Sequence, residues 1–141
     1  MTAGAEILGN VARDEIEIVK RAFDAWNRRD VDAVVELARD DSEWVIAEES
    51  PQARTLRGKD EIRAYLRDWW DTVHGLHYEA TDYLTGDGCV VCIGAVTGQV
   101  GAGGPELTEG LCCVVRFEDG LAVRVEEYFD ADRARAAAGL G

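Results

Sequence analysis

The stretch TEGLCCVVRFEDGLAVRVEEYFD, Thr108 to Asp130, constrains the fold of this chain more than any other. Glu118-Asp119-Gly120 interrupts two runs rich in β-branched and aromatic residues, and an Asp-Gly pair supplies the positive φ that a tight hairpin turn needs. Side chains of a strand alternate between faces. Glu109, Leu111, Cys113, Val115 and Phe117 therefore share one side of the first strand, and Val123, Val125, Glu127 and Phe129 one side of the second. Glu109 and Glu127 stand in rows that are otherwise apolar. A carboxylate in such a row lies either at the rim of the sheet or inside a space that the sheet encloses.

The residues ahead of the hairpin switch once between two periodicities. Ile16, Val19, Phe23 and Trp26 recur at three- and four-residue steps, the stripe of an amphipathic helix opening at Asp14. Asp30 caps a second helix with Val31, Val34, Val35 and Leu37 or Ala38 on its buried side, and Asp40-Asp41 ends it. Ser42 to Ala47 reads as a short strand with Trp44 and Ile46 on one face, followed by a polar loop up to Gly58. A third helix carries Ile62, Tyr65, Leu66, Trp69, Trp70 and Val73, and His74-Gly75 closes it. From Leu76 onward the period is two, with a turn at Thr85 to Gly88 and a glycine-dotted strand, CVVCIGAVTGQV, whose glycines imply curvature or close packing against something bulky. A short Ala/Arg-rich helix follows Asp130 or Asp132.

The expected fold is α+β: a curved antiparallel β-sheet forming a cone, about three helices from the N-terminal half packed on its concave side, and a short C-terminal helix. Residues 1–13, with Gly4, Gly9 and Asn10, read as a flexible N-terminal tail, and residues 14–138 as a single domain. A chain of 141 residues is long enough to bury a core without staples.

Charge narrows the partners. Lys and Arg number 15 against 28 Asp and Glu, a formal net charge of -13, which repels nucleic-acid backbones and anionic lipid. No apolar run has a membrane-helix length of roughly 20 residues, and Met1 to Arg13 lacks the basic start and apolar stretch of a secretory signal. The expectation is a cytoplasmic protein with no nucleic-acid or membrane partner. Cys89 and Cys92 form a C-x-x-C, but in a strand positions i and i+3 face opposite ways, as do the neighbours Cys112 and Cys113. Buried free thiols are expected rather than a metal or redox centre.

Three segments carry a family resemblance: AFDAWNRRDVDAVVELARDDSEW, RGKDEIRAYLRDWW and DGLAVRVEEYFDADRA. They resemble the helix pair entering the first strand, the Gly-led third helix and the Tyr-Phe-Asp end of the last strand in the SnoaL-like branch of the nuclear-transport-factor-2-like superfamily. The likeness extends over roughly residues 15 to 138 and implies the cone-shaped fold far more than any one activity. The ketosteroid isomerases of this fold use a carboxylate base, an oxyanion-hole Tyr with a supporting Tyr, and a protonated Asp. These positions fall on Ile46, Ala22, Leu66 and Cys113, so that machinery is not retained. The last-strand Asp of the limonene epoxide hydrolases falls on Glu127, whereas their Arg-x-Asp falls near Ile93 and Ala95. A His-Asp pair of the scytalone dehydratase kind would have to draw on His74 or His77.

The candidate catalytic residue is Glu127. The candidate ligand-binding residues are Trp44, Ile46, Glu48, Tyr65, Trp69, Glu109, Cys113 and Phe129, with no metal and no cofactor expected. The expected function is binding of a small hydrophobic or aromatic ligand. Its catalytic form is cofactor-independent acid/base chemistry through Glu127 (an isomerase, cyclase, dehydratase or hydrolase). The alternative is a non-catalytic dimerisation or ligand-sensing module, and a homodimer is expected through the outer sheet face, where Cys112, Val114, Arg124, Glu126 and Tyr128 stand.

Overall fold

Helical periodicity in the first half of the chain and alternation in the second become, in the computed structural model, a layer of helices laid across one sheet. The model describes the backbone of residues 2–140 and the side chains of residue 11 and residues 13–140. In chain order the elements are α1 (Thr2–Asn27), α2 (Val31–Glu36), β1 (Ala38–Val45), β2 (Thr55–Arg57), α3 (Lys59–Thr72), β3 (Val73–Gly86), β4 (Cys89–Val100), β5 (Glu106–Glu118), β6 (Leu121–Tyr128) and α4 (Ala131–Ala137). The six strands form one sheet in the order β2-β1-β6-β5-β4-β3. This is the expected α+β class, and β3 to β6 form the expected antiparallel meander. One pairing differs: β1 lies parallel to β6, with Trp44 beside Val125, so the sheet is mixed. Parallel neighbours need a long crossover, and here α3 and the rest of the meander supply it.

Side-chain alternation sorts the sheet into two apolar faces. Val90, Cys92, Val96, Cys113, Val115 and Phe117 join the main core beneath α1, α2 and α3. Cys89, Val91, Cys112 and Val114 face the other way and pack against Ala134 of α4. The four cysteines are free and buried, two on each face. The outer face is therefore covered near its centre by the chain's own last helix, and Cys112 and Val114, expected to present themselves to a partner, are 3% and 0% exposed. An Ala-rich helix starting directly after β6, with Asp130 accepting a hydrogen bond from the Asp132 N–H, has only that face to fold back on.

Four local expectations need correction. α1 starts at Thr2, well before Asp14, so residues 2–13 are helical in backbone instead of forming a tail; Met1 and the side chains of residues 2–10 and 12 lie outside the described residues. Ala3, Ala5, Glu6 and Leu8 are strong helix formers, and Gly4 and Gly9 each cost only about 1 kcal/mol. α2 ends at Glu36 and β1 begins at Ala38, placing Asp40-Asp41 inside the strand at the solvent-exposed end of the sheet. The loop before Gly58 contains β2, whose Leu56 is 1% exposed and anchors the edge strand to the core. Finally, the ladder between β5 and β6 shifts register between Arg116 and Phe117, so Ala122, not Val123, pairs with Phe117 and enters the core. That bulge re-aims one residue and leaves Val125 and Glu127 inward.

The hairpin turn is as expected, with φ of 52° at Asp119 and 79° at Gly120. Asn27, at the end of α1, clamps the helix to β3: its amide donates to the Tyr78 carbonyl at 2.9 Å and its side-chain oxygen accepts from the Tyr78 N–H at 2.8 Å. Tyr78 then reaches inward across β4, stacking on Phe23 at 4.1 Å and donating its hydroxyl to the Leu111 carbonyl at 2.9 Å. This crossing is what the glycine in β4 permits. A Cβ on Gly94 would lie 2.4 Å from the Glu79 carbonyl oxygen and 2.6 Å from the Tyr78 hydroxyl.

Candidate functional site

Three elements converge on Glu127. β6 points it inward opposite Cys113 of β5. β1, pairing with β6 on its other side, brings Trp44 and the chain just beyond the strand, Ala47. α3 spans the opening with Tyr65 and Trp69 on one face, four residues and so about one turn apart. The Trp44 Nε1–H donates to Oε2 at 2.7 Å, the Tyr65 hydroxyl lies 3.0 Å from Oε2 and 3.2 Å from Oε1, and the Ala47 N–H donates to Oε1 at 3.4 Å.

All these partners are donors, and an ionised carboxylate is an acceptor only. The set therefore suits the charged form, and among the described residues no Lys, Arg or His forms an ion pair with it. Glu127 is 7% exposed. Burial pushes its pKa up, the hydrogen bonds from Trp44, Tyr65 and Ala47 pull it back, and it remains above its ordinary value of 4.5. The neighbouring carboxylate and burial in turn push the Tyr65 hydroxyl far up, burial first, so Tyr65 stays a donor. Cys113, fully buried, is raised well above its ordinary value, first by burial and then by Glu127. It is a thiol, not a thiolate nucleophile.

Glu127 sits where two spaces meet. Outside it is the mouth of the cone, a cavity of about 330 Å³ bounded by Tyr65 and Trp69 of α3, Leu107 and Leu111 of β5, Phe129 beyond β6 and the loop at Ser50-Pro51-Gln52. That volume lies at the small end of ligand pockets, which run about 300–1,000 Å³. Inside it, a throat of about 20 Å³ between Trp44, Tyr65, Trp69 and Cys113 leads toward a void of about 70 Å³ whose lining is apolar apart from Ser42. The inner void falls well below the range of ligand pockets and offers water almost no polar partner. Of these three spaces only the mouth reaches the volume range of ligand pockets.

The residues singled out from sequence divide accordingly. Glu127, Tyr65, Trp69, Glu109 and Phe129 all line the mouth, Glu109 as an exposed rim residue. Trp44 and Cys113 line the throat and inner void and reach a mouth ligand only past Glu127. Two positions lie elsewhere. Ile46 is 3% exposed in the core because β1 ends at Val45 and the chain turns, its N–H bonding to the Arg54 carbonyl at 3.0 Å. Glu48 is exposed and forms an ion pair with Arg133 of the α4 segment, since the alternation that would have aimed it inward stops with the strand. The sequence reading missed the Ser50-Pro51-Gln52 wall, Asp68 and Leu107. Asp68 was findable, one residue before Trp69 on the mouth side of α3; the loop wall carried no periodic signal. Trp44 and Tyr65 were expected as a ligand wall, not as the donors that hold Glu127.

A second charged cluster lies on the outer face. Burial pushes the Glu126 carboxyl up, and hydrogen bonds and charge from Arg116 and Arg124 outweigh this, leaving it below its ordinary value. Arg124 also reaches Glu43 at 2.7 Å, tying β6 to β1. This network joins strands and stands apart from the mouth.

Solved structures share the fold over nearly the whole chain. Bal32a from a soil-derived mobile gene cassette is 25% identical, with a TM-score of 0.77 over 91% of this chain and 98% of its own. A nuclear-transport-factor-2-like protein of unknown function from Burkholderia pseudomallei is 22% identical, with a TM-score of 0.74 over 89% and 97%. A protein of ketosteroid isomerase-like fold from Catenulispora acidiphila, solved in complex with trimethylamine, is 17% identical, with a TM-score of 0.72 over 89% and 94%. Identities this low speak to the fold and not to the chemistry. No curated protein matches the sequence. The model of the SnoaL-like domain matches residues 19–125, from the first core turn of α1 to Val125 of β6, and the chain belongs to that family.

Proposed function

We propose that this SnoaL-like domain binds a small apolar or aromatic molecule in the mouth of the cone and that Glu127 moves a proton on it. The reaction class is acid/base chemistry that a carboxylate can run without a cofactor: isomerisation, cyclisation, dehydration or hydrolysis. One observation carries the reading: a 7%-exposed carboxylate faces a cavity of about 330 Å³ with no cationic partner among the described residues. A structural glutamate at such depth is normally ion-paired, as Glu126 is. Its raised pKa brings it toward the range in which a general acid or base works at neutral pH. Trp69, Phe129, Leu107 and Leu111 supply the apolar walls.

The test is a thermal-shift and turnover screen against polyketide, terpenoid and steroid-like compounds, run on the wild type and Glu127→Gln. A ligand that binds only the folded state raises the melting temperature. The expected result is a stabilising compound whose turnover is lost, or whose affinity shifts at least tenfold, in a folded Glu127→Gln. Equal kinetics and affinity in the two proteins remove Glu127 from the mechanism.

For assembly we infer a homodimer through the part of the outer face that α4 leaves open, around Arg124 and Tyr128, both of which keep some exposure. Light scattering is expected to give twice the 15.4 kDa chain mass, and that mass itself would refute the dimer.

A further inference from the structure

The mouth has a sign. Its lining includes Glu49, Asp68, Glu109 and Glu127 and, among the described residues, no Lys, Arg or His. Glu49 is ion-paired with Arg133 at 3.1 Å, but among the described residues Asp68, Glu109 and Glu127 have no ion-pair partner. Acids at an exposed rim are ordinary in a chain of net charge -13. Glu127 is not at the rim. Its partners at depth are neutral donors alone, which satisfy its lone pairs and, when it is ionised, leave its charge uncompensated. A low-dielectric cleft lined by one sign of charge concentrates ions of the other. It also repels carboxylates and phosphates.

The walls have a matching preference. Tyr65 and Trp69 make a T-shaped pair, ring centroids 6.4 Å apart at 84°, and Tyr65 and Trp44 a tilted one at 6.1 Å. Phe129 closes the mouth from beyond β6. Aromatic faces attract organic cations through the ring quadrupole, more strongly where water is excluded. In the interior of this chain no Lys or Arg makes use of those faces: the cation–π contacts of the described residues join Lys20 to Tyr83 and Arg133 to Tyr128, outside the mouth lining.

We infer that the molecule taken by the mouth is an organic cation, an amine charged at neutral pH and carried on an apolar or aromatic body. Its cationic centre lies against Glu127 between Tyr65 and Trp69, and its apolar part lies on Leu107, Leu111 and Phe129. The inference rests on the reading of the mouth as a binding cavity anchored by Glu127 and adds the charge of what binds there. In such a pair Glu127 is ionised, the form a general base must have before it accepts a proton.

A matched series tests it: 2-phenylethylammonium, the neutral 2-phenylethanol and the anionic phenylacetate, each titrated by calorimetry and by the indole N–H signals of Trp44 and Trp69 in NMR. The expected result is that the ammonium binds at least tenfold more tightly than the alcohol, phenylacetate does not bind, and the ammonium moves both indole signals. Its affinity drops at least tenfold in Glu127→Gln, while that of the alcohol changes less than twofold. Should that variant not fold, Asp68→Asn/Glu109→Gln is expected to weaken the ammonium severalfold and to flatten the salt dependence of its binding. Equal affinity for the ammonium and the alcohol overturns the cation and leaves the binding cavity standing. Preference for phenylacetate overturns the cation as well. Failure of all three to bind overturns the cation together with the cavity reading.

Discussion

At the scale of single residues, Trp44 and Tyr65 hold one carboxylate between them. Both donate to Glu127 and so favour its charged form against the cost of burial. Tyr65→Phe and Trp44→Phe each remove a donor while keeping most of the ring, so each is expected to raise the Glu127 pKa further. Carboxyl ¹³C titration reads this directly; a fall in either variant would mean that the hydrogen bonds favour the protonated form. Cys113 illustrates the opposite effect of the same burial, which keeps it a thiol. A chromogenic disulfide reagent at neutral pH is expected to leave all four cysteines of the native protein unmodified, since all are buried, and to react with them after unfolding. Rapid labelling of the folded chain would contradict this. Alternation along β6 was enough to find Glu127 in the sequence. Its donors were not legible there, because Trp44 and Ala47 reach it through the parallel pairing of β1 with β6, a contact that no local pattern encodes.

At the scale of elements, glycine and the ion-pair network decide how β4, β5 and β6 fit together. Gly94→Ala would drive a methyl group into the Glu79 carbonyl and the Tyr78 ring that crosses it. The expected cost is about 1–3 kcal/mol, the range for overpacking a tight site, measured as a lower urea midpoint at unchanged slope. An unchanged midpoint would mean that Tyr78 swings aside freely. Glu126 accepts from Arg116, Arg124 and Tyr128 across the outer face. Glu126→Gln is expected to lose about 1.5–3 kcal/mol in urea denaturation, as for hydrogen bonds to a charged group; an unchanged midpoint would show that the network adds nothing to stability. Element identity was largely legible: the helical stripe of α3, the Asp30 cap, the Asp-Gly hairpin and the meander all follow from local chemistry. Boundaries were not. β1 runs through Asp40-Asp41 in spite of the poor strand propensity of Asp, along the irregular stretch between its two points of pairing with β6, Ala38 and Glu43. The Val123 bulge also escaped, since one extra residue in a ladder leaves no mark on the alternation of either strand read alone.

At the scale of the whole molecule, the two neighbouring acids of β6 make opposite contributions to stability. Glu127 has a raised pKa, so the folded chain holds its proton more tightly than the unfolded chain does. The stability it contributes is present below 4.5 and lost as pH rises through its folded value. Glu126 has a lowered pKa, so its contribution is present above 4.5 and lost as pH falls through its folded value. Replacing Glu127 with Gln removes the first dependence. The stability of Glu127→Gln relative to the wild type is expected to improve between pH 4 and pH 8, as measured by urea denaturation at each pH; a gap that stays constant contradicts the buried charge. A buried residue that costs stability when ionised is what the proposed binding role of Glu127 would lead one to expect. The fold could be anticipated because its parts agree with one another at every level. The ligand class proposed here could not, because it depends on the sign and depth of a cavity that forms only when β1, β5, β6 and α3 meet.

The throat of this cone holds a glutamate whose ionisation is disfavoured by burial. Carboxyl ¹³C NMR titration of the free protein, assigned by difference with Glu127→Gln, tests this most directly. The predicted result is one glutamate resonance, missing in the variant, with a midpoint above 4.5. A Glu127 that titrates at or below that value would contradict the account, because a well-solvated or ion-paired carboxylate would then occupy the place where a buried, ligand-facing one is required.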